Sequence, residues 1–293
     1  MISLILALAA AAQGPAMPSS PDPMPPPRPR AETVAPPVAS ADAAGEARYR
    51  ACVAQIASNA EAALASANAW RGEGEGVHAR VCLGLALAAL ERWPEAATAF
   101  EQAARAAETA QDPRRADFWV QAGNAWLAAA EPARALTALD AALLTPSLTQ
   151  ELRGEVHLDR ARALVAQGNA AAARTEIDRA LQLVPADPFA WYLSAALARR
   201  ENQPPRAATD IGRALTLAPN DPDVLLLAGT IAGQAGNMDE AERLYRRVVA
   251  LAPDSNAGRS ASASLATLRE VEVPAPPPAP APTPAPAPQP QLR

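Results

Sequence analysis

The sequence predicts an all-α fold: a solenoid of about five stacked helical hairpins, with capping helices at both ends and disordered Pro/Ala-rich arms beyond them. Three observations lead there. About a quarter of the 293 residues are alanine and only 4% are aromatic, and alanine has the highest intrinsic helix propensity. The 31 prolines segregate, ten between Pro15 and Pro37, ten between Pro274 and Pro290, and eleven across the long stretch between. Within that stretch a phrase centred on alanine recurs at Ala96, Ala135, Ala173, Ala207 and Ala241, at intervals of 39, 38, 34 and 34 residues. A phrase of this period marks one supersecondary unit that buries its apolar face against its neighbours, so five stacked units are expected to share a continuous core.

Taken in order, residues 1–12 read MISLILALAAAA, an apolar run too short to span a bilayer but of the length of a secretory h-region. Ala10-Ala11-Ala12 offers a small-residue cleavage site before Gln13, although no Lys or Arg precedes Arg28. A signal peptide is the expected reading; an Ala-rich helix or an uncleaved membrane anchor is the alternative. Residues 13–43 form a Pro-rich linker. Residues 44–75 read as a degenerate helical pair: Arg48 to Ala57, a Ser58-Asn59 cap, Ala60 to Trp70, and a turn at RGEGEG. The five repeats span 76–253.

Repeats three to five close on the same signal, which repeats one and two lack. Pro185, Pro219 and Pro253 stop the second helix because proline lacks an amide donor, and Asp187-Pro188 and Asp221-Pro222 start the next with a capping acid and a first-turn proline. Twelve residues before each central alanine stand Gly84, Gly123, Ala161, Ala195 and Gly229, small enough for two helices to cross closely. Four residues after it stand Phe100, Leu139, Ile177, Ile211 and Tyr245, large enough to fill the space between units. This phasing resembles the tetratricopeptide repeat over about Gly76 to Pro253. Trp119, Trp191 and Leu225 match that family's first-helix aromatic position, whereas Arg80 and His157 depart from it. The resemblance implies a right-handed superhelix of antiparallel helix pairs.

Two cysteines, Cys52 and Cys82, occur in the whole chain. In a stack of first helices they lie on neighbouring elements, so a disulfide tying the degenerate pair to the repeats is expected; two buried thiols, or a metal pair of Cys82 with His78, are the alternatives. Residues 254–271 read as a polar capping helix carrying Leu265 and Leu268, and 272–293 as a Pro/Ala-rich tail. The arms favour extended polyproline II chain, as tethers or as ligands for an aromatic groove.

The absence of lysine excludes a Walker lysine, a Schiff base and a lysine general base, and the net charge of −5 opposes nucleic-acid binding. His157 with Asp159 and Asp178 is the nearest approach to a catalytic group, and a packed helix histidine is the expected reading. No catalytic residue, cofactor, metal or small-molecule substrate is therefore expected. The resemblance implies instead a concave groove, lined by first helices, that receives a protein or peptide. Matched position by position, its candidate lining is Val120, Asn124, Leu127, Leu158, Arg162, Tyr192, Arg199 and Arg200. The family's lysine-based carboxylate clamp is absent except for Asn124. The resulting expectation is a non-catalytic periplasmic interaction scaffold, or a membrane-held adaptor if the N-terminal run is retained.

Overall fold

Helix follows helix through the computed structural model, which describes residues 43–73, 76–146 and 148–272. Among them are thirteen α-helices and no strand: α1 (Ala43–Ser58), α2 (Ala60–Glu73), α3 (Val77–Ala89), α4 (Trp93–Thr109), α5 (Arg115–Ala128), α6 (Pro132–Leu143), α7 (Gln150–Ala166), α8 (Ala170–Leu183), α9 (Pro188–Arg200), α10 (Pro204–Leu217), α11 (Pro222–Gln234), α12 (Met238–Leu251) and α13 (Asn256–Glu272). Each helix packs on the next, and α1 packs also on α3, α5 on α7, α9 on α11 and α11 on α13. Among the described residues no helix is long and apolar enough to cross a membrane. The expected leader lies outside the described residues, as do the linker and tail apart from their boundary residues Ala43 and Glu272.

The turn inside each repeat has one design. A backbone N–H bonds back to the carbonyl five positions earlier, in the last turn of the first helix: Arg92 to Leu87, Glu131 to Trp126, Asn169 to Leu164, Gln203 to Ala198 and Asn237 to Ala232, all at 2.8–2.9 Å. Such a cap needs a left-handed residue. Gly168 and Gly236 supply it at φ 77° and 84°, but Glu91, Ala130 and Asn202 adopt φ 57°, 57° and 53° with a side chain attached. At the helix starts, Asp187 accepts from the Phe189 N–H at 2.8 Å and Asp221 from Asp223 and Val224 at 2.9 and 3.1 Å, each ahead of a first-turn proline. Thr149 and Asn169 cap α7 and α8 in the same manner.

Inside each unit, small meets large. A Cβ placed on Gly84 would lie 2.6 Å from the Phe100 ring, on Gly123 2.7 Å from Leu139, and on Gly229 2.6 Å from the Tyr245 ring. In the third and fourth units the first helix carries Ala161 and Ala195 at this register, and the facing residues are Ile177 and Ile211, smaller than the rings of Phe100 and Tyr245. The five central alanines are all at most 1% exposed.

The expected continuous core is divided. One apolar block runs from Cys52 to Ala163 and another from Ala195 to Ala261, with two small clusters between them, around Ile177 and around Leu158. One register, three residues after the central alanine, changes character in the middle units. It holds Ala99, Ala138 and Leu244 in units one, two and five, but Glu176 and Asp210 in units three and four, both buried. Buried carboxylates must be paired, and each recruits a polar layer around itself. At the N-terminal end, Cys52 and Cys82 are joined in a disulfide between α1 and α3, their Cα atoms 6.1 Å apart.

Candidate functional site

The row of first helices holds every residue that the register of the repeat assigns to the groove, and packing sorts them into two groups. Three are buried, contrary to expectation. Val120 is fully buried in the first core block beside Trp119 and Trp126, and Leu158 is 2% exposed in a cluster with Ala180 and Ala190 under Phe189. Arg162 is 6% exposed and donates to Asp159 at 3.0 Å and to Asn124 at 3.5 Å. Arg162 lies on the seam between α5 and α7, where it meets Asn124, and Leu158 lies where α7 meets α8 and α9. Half-buried Asn124 belongs to the same seam, its amide oxygen turned to Arg162.

The second group borders the seam. Leu127 is partly buried against the first core block, Tyr192 and Arg199 are half-buried, and Arg200 is exposed beside a cleft of about 130 Å³ lined also by Val165, Leu197 and Glu201. Phe189, which the register of the resemblance passes over, stacks on Tyr192 with centroids 6.1 Å apart and planes 10° apart. Their spacing of three residues on one helix was the available signal. Gln121, one position after Val120, keeps a buried side-chain oxygen without a hydrogen bond. The lining is thus a mixture of an aromatic pair, aliphatic edges and guanidinium groups.

The polar layer of units three and four is the densest concentration of charge. Glu176 meets His157 Nδ1 at 2.7 Å, Arg160 Nε at 3.0 Å and Arg179 Nη1 at 2.8 Å, and Arg160 also pairs with Asp140. Burial alone raises the Glu176 pKa, but the hydrogen bonds from His157 and Arg160 and their charges outweigh it and hold the carboxyl at about 2. Next to it, the Ser194 hydroxyl donates to Asp210 at 2.6 Å and accepts from Arg174 at 2.8 Å, and Arg206 links Asp210 to Asp178. His157 therefore faces Glu176, and Asp159 is turned to Arg162, so the grouping of His157 with Asp159 and Asp178 does not form. Among the described residues no three His, Cys, Asp or Glu side chains are grouped to hold a metal ion.

Comparison with known proteins identifies the repeat. Family models of the tetratricopeptide repeat match residues 81–150, 158–223 and 198–265. No curated protein matches the chain. Among solved structures, PilF of Pseudomonas aeruginosa aligns with 17% identity over 76% of this chain and 98% of its own, with a TM-score of 0.59. PilW, described as a widely conserved type IV pilus biogenesis factor, aligns with 19% identity over 75% and 99%, with a TM-score of 0.62. A thermophilic tetratricopeptide repeat protein of Thermus thermophilus aligns with 18% identity over 67% and 100%, with a TM-score of 0.52. At these identities the likeness is one of fold.

Proposed function

Because the chain belongs to the tetratricopeptide repeat family, whose members are protein-interaction modules, we propose that it is a non-catalytic scaffold of the bacterial cell envelope, exported to the periplasm. It receives a peptide or protein partner along the row of first helices. The observation that carries this reading is the division of that row into a buried seam, which holds neighbouring units in register, and a border of Leu127, Phe189, Tyr192, Arg199 and Arg200 that mixes aromatic, aliphatic and cationic groups. Aromatic and arginine side chains are the residue types enriched where binding energy concentrates. Two features support export: the apolar run at residues 1–12 and a disulfide as the state of the chain's two cysteines, a bond that persists in oxidising compartments. The fold likeness to PilW, a type IV pilus biogenesis factor by its description, agrees with such a place.

Crosslinking in the native cell, followed by mass-spectrometric identification of the captured protein, tests the reading. Tyr192→Ala combined with Arg200→Glu should lower the yield of the captured partner at unchanged helix content. The same partners at the same yield would refute the assignment of this face. N-terminal sequencing tests release: a mature start at Gln13 or Met17 supports it, and an intact Met1 favours a membrane-held adaptor.

A further inference from the structure

Where the N-terminal pair meets the stack, three segments converge on His78. From α1 come Glu46 and Tyr49, the latter's ring 5.7 Å from the imidazole; α3 carries His78 itself; the turn before α5 brings Asp112 and Arg114. Cys52 and Cys82 continue the same two helix faces one turn further on, where they are bonded. His78 Nε2 lies 3.3 Å from Glu46 Oε2 and also 3.3 Å from Arg114 Nη2. Arg114 is held in place by Asp112, at 3.1 Å through Nε and 2.8 Å through Nη2.

One ring nitrogen cannot serve both neighbours in the same state. Arg114 has only hydrogens to offer, so it needs a lone pair on Nε2; the Glu46 carboxylate has only lone pairs, so it needs a proton there. The charged groups on the other helices packed on α3 are engaged elsewhere or face solvent. On α2, Glu73 pairs with Arg48 and Arg71 is exposed. On α4, Glu101 bonds to Arg105 and Trp126, and Glu108 accepts from Trp119.

We propose that His78 is a proton-operated selector between the two ends of this junction. Neutral, it accepts from Arg114 and ties α3 to the start of α5. Protonated, it turns its Nε2 proton to Glu46, is repelled by Arg114, and ties α3 to α1 instead. Protonation therefore clamps the N-terminal pair to α3, and loss of the proton loosens it. The disulfide keeps α1 attached in both states.

Hydrogen exchange on the full, unreduced chain at pH 5 and pH 7.5, corrected for intrinsic exchange rates, reads both ends at once. Protection of α1 should rise about two- to fivefold at pH 5, the scale of a partly exposed ion pair, while the first turn of α5 loses protection. Glu46→Gln should abolish the response of α1 and retain that of α5, and His78→Gln should flatten both. Responses that survive His78→Gln, or an α1 response unaltered by Glu46→Gln, would overturn the proposal. Nitrogen-15 imidazole spectra of the unsubstituted chain give a test that needs no variant. Neutral His78 must carry its proton on Nδ1, and a proton on Nε2 would overturn the selector.

Discussion

Gly229→Ala sets two effects of known size against each other. In an exposed helix, glycine to alanine stabilises by about 1 kcal/mol. Here the new Cβ would sit 2.6, 2.8 and 3.2 Å from three atoms of the Tyr245 ring. That ring is 3% exposed, and its hydroxyl donates to Thr230 at 3.3 Å, so it has little room to retreat. Overpacking of a filled core costs about 1–3 kcal/mol, which leaves a net loss of about 1 kcal/mol and at most about 2. The fourth repeat shows the alternative solution, Ala195 facing Ile211, with both side chains buried. Once Tyr245→Ile is in place, Gly229→Ala should therefore stabilise, by up to about 1 kcal/mol. The coupling in the double-mutant cycle should reach about 2 kcal/mol, within the range for residues in contact. Urea unfolding followed by circular dichroism at 222 nm measures all four chains. If Gly229→Ala had the same sign and size with tyrosine and with isoleucine opposite it, the reciprocal pairing of small and large residues would not be what sets the helix spacing.

Three further outcomes follow from local geometry. Ala130→Gly, at a left-handed cap position with φ 57°, should raise stability by about 0.5–1 kcal/mol, whereas the same change at Ala135 in the crossing should lower it; thermal melts distinguish the two. Replacing Cys52 and Cys82 together by alanine should cost about 3–4 kcal/mol in the loop-entropy account of a bridge across 30 residues, seen as an earlier urea transition confined to α1–α3 in hydrogen exchange. Glu176 is depressed to about 2 in the fold, so the unfolded chain takes up its proton first as pH falls. Its contribution of about 3 kcal/mol is complete above pH about 4.5 and is lost as pH falls toward 2. A urea midpoint measured from pH 6 down to pH 2.5 should fall more steeply in the parent chain than in Glu176→Gln.

The repeat was legible because its signals are local. A central alanine, a proline at the unit end and a glycine facing a large residue each act within one hairpin, and their spacing survives without knowledge of the neighbours. The groove was less legible for the opposite reason. Helical phase tells which way Val120, Leu158 and Arg162 point, but burial depends on how closely the next first helix lies, and that distance is set by residues on another unit. The polar layer stood in the sequence in a form that could have been compared: Glu176 and Asp210 occupy the register of Ala99, Ala138 and Leu244. An acid at a core register signals buried partners, and His157 and Arg160 on the facing helix were those partners for Glu176.

The charged layer between the two apolar blocks also gives the solenoid an uneven response to temperature. Hydrophobic association weakens on cooling, so the outer blocks built on Trp126, Leu139, Leu225 and Tyr245 lose strength in the cold. On heating their stabilisation levels off, whereas the cost of desolvating paired charges, as around Glu176 and Asp210, keeps falling. The centre of the superhelix therefore gains on its apolar flanks as temperature rises. A partner that spans the middle repeats would meet a surface whose compliance depends on the temperature of the cell.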